Sequence, residues 1–450
     1  MIVVDLLFNY QKRNLKEKIY KLLLIISKSE IAKKGSWALF FKIGGMFTIY
    51  LFHFLLARRI GAEANGIFST FFTILSIFAV FSILGMDTFL LKKIAQFNSQ
   101  KKWAELKSIY KKALSLILII SIFLIAILQF LYSFDHLESY HQNELLPYVA
   151  LVLIPFSVLH INAESFRAIK NIKLFSFFKN FSIFGVAAFL LLFPFNNTPT
   201  IAVKTFVLSV FVLAIVSYVL WKKQLKINDS VLVEEFDNKS IIKESFPMFL
   251  SGSLFLLMSW VDILMLGHFN SQSDVGIYTI ALKLAAPCTL FLFAANTILG
   301  PKISELYHRN KTERLSKIVQ DTTKYSFLLS VPIFAIILIF PDFLLSLFGA
   351  EFNNKLATET LVILSAGQMV NVFFGAVIYI LDMTGKQIKS RNILLFTAII
   401  NILLNWYLIP IYGIKGAAMA TAFSIFCWTV LGAIAVKKYF GFYAFPYFKN

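Results

Sequence analysis

Cysteine and charge are both scarce in this sequence, and each shortage removes a class of protein. The 450-residue chain has two cysteines, Cys288 and Cys427, and both lie inside apolar runs. Neither a disulfide framework nor a cysteine metal site is therefore expected. Only 15% of the residues are charged, where a soluble protein carries about 25%. The chain also lacks HExxH, P-loop and dinucleotide-binding patterns, so we expect no metal, no cofactor and no enzyme activity.

Apolar residues make up most of the chain and come in long runs. They account for 58% of the residues, with 50 phenylalanines and a mean hydropathy of +0.75. A hydrocarbon core of roughly 30 Å needs about 20 apolar residues per helix, and helices of that length satisfy their own backbone groups in lipid. Twelve such runs predict twelve transmembrane helices in an all-α polytopic membrane protein. They cover approximately 36–56, 66–91, 113–134, 146–166, 177–195, 200–221, 246–266, 276–299, 325–348, 359–381, 393–411 and 417–436.

The distribution of lysine and arginine supports this division. With the amino terminus placed inside, the interior segments hold 36 of the 43 Lys and Arg residues, the exterior loops hold five, and Lys42 and Lys283 lie inside spans. Positive charge collects on the cytoplasmic side of a membrane protein. We therefore expect a multi-pass protein of the bacterial inner membrane with both termini in the cytoplasm. The formal net charge of +19 is then explained by contact with anionic lipid, and not by nucleic acid.

No soluble domain is expected between the spans. The short apolar stretch Met1–Phe8 precedes the first basic residues instead of following them, so no secretory signal peptide is expected. Apolar and basic residues recur at helical spacing between Leu15 and Ile26, which predicts an amphipathic helix on the inner membrane face. We divide the chain into a cytoplasmic amphipathic segment (1–35), an N-terminal six-helix lobe (36–221), a cytoplasmic linker (222–245), a C-terminal six-helix lobe (246–436) and a cytoplasmic tail (437–450).

The two halves of the chain repeat one another at an offset of 210 residues. The segment LARRIGAEANGIF (56–68) follows span 1, and LGHFNSQSDVGIY (266–278) follows span 7. Shifted by 210, spans 1 to 4 fall on spans 7 to 10 within a few residues, and spans 5 and 6 fall near spans 11 and 12. Because each half has six spans, both halves share one orientation. This predicts a parallel repeat with a site between the lobes.

Three motifs resemble a known family. They are ARRIG (57–61) with GIF (66–68), VDILMLG (261–267) with VGIY (275–278), and IPIYGIKGAAMATA (409–422). They resemble the first outer loop, the seventh span and the junction of spans 11 and 12 in O-antigen and polysaccharide flippases. These proteins belong to the multidrug/oligosaccharidyl-lipid/polysaccharide (MOP) exporter superfamily. The resemblance implies a V-shaped bundle of two six-helix lobes around a central cavity.

The resemblance also implies a function. Members of this family move an undecaprenyl-pyrophosphate-linked oligosaccharide, an O-antigen or similar surface polysaccharide unit, across the inner membrane by alternating access. The implied partners are the lipid-linked oligosaccharide, membrane lipids and the polysaccharide polymerase machinery. Since the chain has no ATP-hydrolysing motif, the driving force must be an H⁺ or Na⁺ gradient or consumption of the substrate downstream.

Two other functions are compatible with twelve spans. A multidrug or small-cation antiporter of the same superfamily should bury acidic groups in its lobes, whereas Asp87, Asp262 and Asp382 are predicted to lie near span ends. A membrane-embedded polymerase or ligase should have a large periplasmic loop with Arg and His. The predicted outer loops are only about five to fifteen residues long, which disfavours that reading.

Basic groups in and beside the spans are the candidates for binding a diphosphate. A cation in the membrane is costly unless it faces a cavity or reaches the surface. Lys42 in span 1 either lines the cavity or reaches toward the inner surface. Lys283 in span 8 either lines the cavity or pairs with Asp262, whose alternative role is to hold the end of span 7. Arg58 and Arg59, at the outer end of span 1, either receive the emerging diphosphate or contact lipid headgroups.

Neutral polar residues inside the spans are the candidates for sugar contacts, with hydrogen bonds between helices as the alternative. They are Asn296 in span 8, Gln368 and Asn371 in span 10, and Asn401 and Asn405 in span 11. The spacings of three and four residues place each of the last two pairs on one helix face. Two further carboxylates are predicted to make local ion pairs, Asp87 with Lys92 and Lys93, and Glu164 with Arg167.

Overall fold

Helices make up almost all of the structure. The computed structural model describes residues 30–133, 143–193, 198–225, 237–309 and 311–446, and no strand occurs among them. The predicted amphipathic helix in 1–35 and the centre of the linker 222–245 lie outside the described residues. The α-helices are α1 Glu30–Arg59, α2 Ala62–Ile83, α3 Met86–Ser99, α4 Trp103–Ser133, α5 Leu146–Ala168, α6 Ile172–Ser176, α7 Ser182–Leu191, α8 Ile201–Gln224, α9 Asn238–Phe269, α10 Gln272–Ala285, α11 Leu290–His308, α12 Thr312–Ile339, α13 Pro341–Ser346, α14 Lys355–Phe374, α15 Val377–Met383, α16 Gln387–Tyr412 and α17 Ile414–Phe440.

Ten stretches of the described residues are long and apolar enough to cross a membrane. One of them, Gln387–Phe440, contains both α16 and α17. The seventh predicted span lies on α9, whose segment Trp260–Phe269 is a shorter apolar helix. Within the described residues, each predicted span lies mostly on helical structure, and the chain is a multi-pass integral membrane protein. The predicted all-α fold is confirmed.

Two predicted spans are interrupted by glycines that sequence patterning did not mark as breaks. α2 ends at Ile83, and the chain turns through Gly85 at φ +74° before α3 begins. α14 ends at Phe374, and Gly375 has φ +72°. Backbone at positive φ strongly favours glycine, because a side chain there meets the following carbonyl. An apolar run alone cannot signal such a break, since the residues on both sides remain apolar.

Helix boundaries reproduce the 210-residue repeat. α1 ends at Arg59 and α9 at Phe269, and α2 begins at Ala62 and α10 at Gln272. Each of these pairs is separated by 210 positions. The repeat predicted from sequence is therefore present in the structure, although the first and second halves share few identical residues.

The two halves meet most closely where α2 crosses α10. A Cβ on Gly66 would press on the backbone carbonyl of Gln272, and a Cβ on Gly276 would press on that of Ala62. These contacts are reciprocal, because the two glycines are 210 positions apart and so are the two residues whose carbonyls they meet. Only glycine permits this backbone approach. The crossing therefore lies on the pseudo-twofold axis that relates the halves.

Candidate functional site

A cavity of about 600 Å³ lies within the C-terminal lobe. Its wall is built from α9, α10, α11, α14, α15, α16 and α17, together with the short turn before α11. A volume of this size is in the range of small-molecule sites. Five of the ten residues predicted for the site line it: Asp262, Asn296, Gln368, Asn371 and Asn401.

Asp262 is the most highly connected polar group in the cavity wall. Its side chain is buried, with 3% of its surface exposed. The carboxylate accepts hydrogen bonds from Tyr278 Oη at 2.8 Å, from Asn405 Nδ2 at 2.6 Å and from Thr421 Oγ1. Its donors come from α10, α16 and α17. Hydrogen bonds to a carboxylate are about twice as strong as neutral ones, so this one side chain joins four helices.

The position of Asp262 differs from the sequence prediction. The prediction placed it about one turn from the outer end of span 7, yet α9 continues to Phe269. Asp262 therefore lies about two turns inside the helix. The expectation that the acidic groups lie near span ends is wrong for this residue, because the apolar run and the helix end at different positions.

Amide oxygens in and beside the cavity have no hydrogen-bond donor. Asn296 Oδ1, Asn401 Oδ1 and Asn405 Oδ1 are buried and unpaired among the described residues. Asn401 and Asn405 are 1% and 0% exposed, which confirms that they share an interior face. A buried acceptor without a donor costs about 1–3 kcal/mol. Such groups indicate a site that a ligand or water completes.

Lys42 faces the C-terminal lobe. Its ammonium stands over the ring of Phe293, 3.8 Å from the ring centroid, and Phe293 lines the cavity. Of its two predicted alternatives, the structure favours a place beside the cavity over one at the inner surface. The attraction between an ammonium and an aromatic face replaces part of the stabilisation that the ammonium loses on leaving water.

Lys283 lies where α10 meets α1. Its backbone carbonyl accepts a hydrogen bond from Tyr50 Oη at 2.6 Å, and its neighbour Leu282 lines the cavity. The predicted pair with Asp262 is absent from the part of the chain that the structure describes. There, neither Lys283 nor Lys42 has a carboxylate within the 4.0 Å of an ion pair.

Arg58 and Arg59 are not part of the cavity. Arg58 Nε donates to the carbonyl of Leu347 at 2.6 Å, and Arg59 donates to the carbonyls of Leu191 and Phe193 at 2.5 and 2.6 Å. Both guanidinium groups thus bind carbonyls near helix ends, where the partial charge is negative. These bonds join the end of α1 to distant elements, and the headgroup or diphosphate contact of the two arginines stays a prediction.

A carboxylate from the C-terminal lobe caps a helix of the N-terminal lobe close to Arg58. Glu351 Oε2 accepts a hydrogen bond from the backbone N–H of Ala62 at 2.8 Å. Ala62 is the first residue of α2, and a carboxylate there stabilises the helix through its dipole. Sequence reasoning missed this contact, because nothing local links residues 289 positions apart.

One of the two predicted local ion pairs is present. Glu164 pairs with Arg167 at 3.4 Å and also with Lys179 at 3.1 Å. The predicted pairing of Asp87 with its neighbouring lysines is wrong. Lys93 instead pairs with Glu244 of α9 at 3.0 Å, and Asp87 accepts from the backbone N–H of Thr88. That carboxylate lies in the first turn of α3, where it favours the helix start.

Several residues of the cavity wall were not predicted from the sequence. Phe293, Tyr379, Thr421 and Trp428 all line the wall. Phenylalanine, tyrosine and tryptophan are so frequent in this chain that one aromatic residue carries no positional signal. Thr421 lies within the third family motif, and the spacing of the motif gives no hint of its bond to Asp262.

Comparison with known families shows to which family the chain belongs. The family described as Polysaccharide biosynthesis protein matches residues 31–307, which is more than half of the chain. The chain belongs to this family. A second family, described as MatE, matches residues 247–407, the part of the chain that contains most of the cavity wall. The family predicted from the three motifs is confirmed.

Sequence relatives of this chain include proteins named as probable flippases. A probable low-salt glycan biosynthesis flippase of Haloferax volcanii is 32% identical over 213 residues, covering 46% of the chain and 44% of the relative. The chain thus spans less than half the length of that flippase. An uncharacterized membrane protein of Methanocaldococcus jannaschii is 24% identical, over 89% of the chain and 83% of the relative.

Solved structures share the fold over most of the length. The lipid II flippase MurJ in an inward closed conformation has a TM-score of 0.69 at 15% identity, covering 90% of this chain and 87% of that protein. An inward-facing multidrug transporter of the MOP superfamily has a TM-score of 0.66 at 15% identity, covering 88% and 94%. This likeness confirms the predicted fold of two six-helix lobes.

Proposed function

We propose that this protein is a flippase that moves an oligosaccharide linked to polyprenyl diphosphate, with undecaprenyl as the carrier, across the inner membrane. The family match and the relatives named as flippases support this reading. In our proposal both termini are cytoplasmic, and the substrate continues to the polysaccharide polymerase machinery. The two lobes rock about their interface to expose the cavity to each side.

The observation that carries the proposal is the pair of lysines beside the lobe interface. Neither Lys42 nor Lys283 pairs with a carboxylate among the described residues. A lysine in the membrane costs about 2.5–3.5 kcal/mol. An anionic diphosphate supplies the missing counter-charge when it binds, and its charge-assisted hydrogen bonds are strong. Cationic substrates would be repelled by the same two groups.

A buried carboxylate supports the alternative, a multidrug or small-cation antiporter. Asp262 lies in the region that matches MatE, and one relative is a probable multidrug resistance protein of Oceanobacillus iheyensis, 24% identical over 45% of this chain. The same residue supports a coupled flippase, in which a proton or Na⁺ bound near Asp262 drives the lobes. Because hydrogen bonds from three donors already occupy this carboxylate, we favour the flippase.

Deletion of the gene tests the proposal. Loss of the flippase should raise the lipid-linked precursor and lower surface polysaccharide, and the intact gene should restore both. Lys42→Ala should fail to restore them at normal protein level. Lys302→Ala, which removes a surface ion pair with Glu305, should restore them fully. Unchanged precursor and polysaccharide in the deletion strain, together with lost resistance to cationic drugs, would establish the antiporter instead.

A further inference from the structure

The wall of the cavity in the C-terminal lobe contains unsatisfied hydrogen-bond acceptors. The donors around Asp262 already bond to its carboxylate, while the oxygens of Asn296 and Asn401 have no donor within the described part of the chain. Both residues line the cavity, and Asn401 is 99% buried. The missing partner must therefore bring N–H or O–H groups to the wall.

Aromatic rings face the same space. Phe293, Tyr379 and Trp428 line the cavity together with the amides. An apolar wall with a few placed polar groups suits a ligand that has both an apolar face and polar edges. A sugar ring has this character, since its C–H face packs on an aromatic ring while its hydroxyls donate to and accept from amides.

The cavity begins beside the lysine that faces the lobe interface. Phe293 holds the ammonium of Lys42 on its ring and also forms part of the cavity wall. A group bound at Lys42 is therefore one aromatic side chain away from the amides. In a lipid-linked oligosaccharide the first sugar is joined directly to the diphosphate. A diphosphate bound at Lys42 would therefore place this sugar at the cavity.

We propose that this cavity is a sugar site, which binds the sugar attached to the diphosphate while Lys42 binds the diphosphate. This inference rests on the proposed flippase function and adds to it. It assigns recognition of the carrier-proximal sugar to the C-terminal lobe, apart from the charged site at the interface.

Binding to the purified full-length chain tests this assignment. The probes are undecaprenyl diphosphate alone and the same lipid carrying N-acetylglucosamine, glucose or galactose, with Kd measured for each. At least one sugar should tighten binding by about tenfold, as one or two hydrogen bonds would. Asn296→Ala and Trp428→Leu should each remove most of this gain and leave the affinity for the sugar-free lipid unchanged.

A matched variant and a competing probe complete the experiment. Phe426→Leu alters an exposed aromatic residue on the same helix and should keep the full gain. If no sugar tightens binding to the native chain, or if both cavity variants keep the gain, the sugar site is refuted while the flippase proposal stands. If neither kind of lipid binds, both fail. Tight binding of tetraphenylphosphonium that Trp428→Leu weakens, without any gain from sugars, would assign the cavity to cations and overturn the inference.

Discussion

The glycine crossing between α2 and α10 predicts a sharp response to one added methyl group. In Gly276→Ala, the new Cβ would stand 2.9 Å from the carbonyl carbon of Ala62 and 3.0 Å from the amide nitrogen of Gly66. These are backbone atoms inside a helix, so they cannot turn away as a side chain would. The helices must separate, and the separation opens the contact between the lobes.

The magnitude follows from the cost of overpacking. An added methylene in a close-packed site costs about 1–3 kcal/mol. Since 1.4 kcal/mol is a tenfold change, the population with the crossing closed should fall by about 5- to 140-fold relative to the population with it open. Gly185→Ala is the matched control, because a Cβ there meets neighbours no closer than 3.4 Å. Its effect should be within about 0.5 kcal/mol.

Cross-linking across the interface measures this population. The rings of Phe54 and Phe348 lie 5.9 Å apart between the lobes, so cysteines at these positions should react quickly with a short bismaleimide once Cys288 and Cys427 are changed to serine. Gly276→Ala should slow cross-linking at least fivefold. Cross-linking at the native rate in this variant would refute the view that the crossing holds the lobes together.

Three further variants test individual contacts by thermal unfolding in detergent. Glu351→Ala removes the cap on the Ala62 amide and should cost about 0.5–2 kcal/mol; an unchanged melting temperature would show that the cap contributes nothing. Asp262→Asn replaces the carboxylate that accepts from three donors with an amide and should lower the free energy of unfolding by about 1–3 kcal/mol. Unchanged stability would argue that the carboxylate is not their acceptor. Glu164→Gln leaves the charge of Lys179 without its counter-ion and should cost about 1.5–3 kcal/mol. If stability is retained, the pair is only a surface contact.

Much of the fold could be predicted from sequence because the membrane imposes simple rules. Apolar runs of about 20 residues and the asymmetry of Lys and Arg locate helices without any knowledge of their partners. The 210-residue offset then relates the two halves. What these rules leave open is where a helix breaks, as at Gly85 and Gly375, since a positive φ depends on the packing of neighbouring helices.

The site was harder to predict, because its contacts join distant parts of the chain. The spacing of Asn401 and Asn405 correctly placed both on one interior face. No local pattern indicates that Asp262 binds donors from three other helices. Nor does any local pattern indicate that Arg58 and Arg59 donate to backbone carbonyls of distant residues.

Translocation by the purified protein tests the central claim most directly. Proteoliposomes would contain undecaprenyl diphosphate carrying a fluorescent N-acetylglucosamine derivative, and a membrane-impermeant quencher would report how much of it each leaflet holds. We predict that the native chain and Lys302→Ala exchange the lipid between leaflets, while Lys42→Ala and Gly276→Ala do so at least fivefold more slowly. A native chain that leaves the lipid in its original leaflet, yet exchanges a cationic dye for protons or Na⁺ in the same vesicles, would contradict the account.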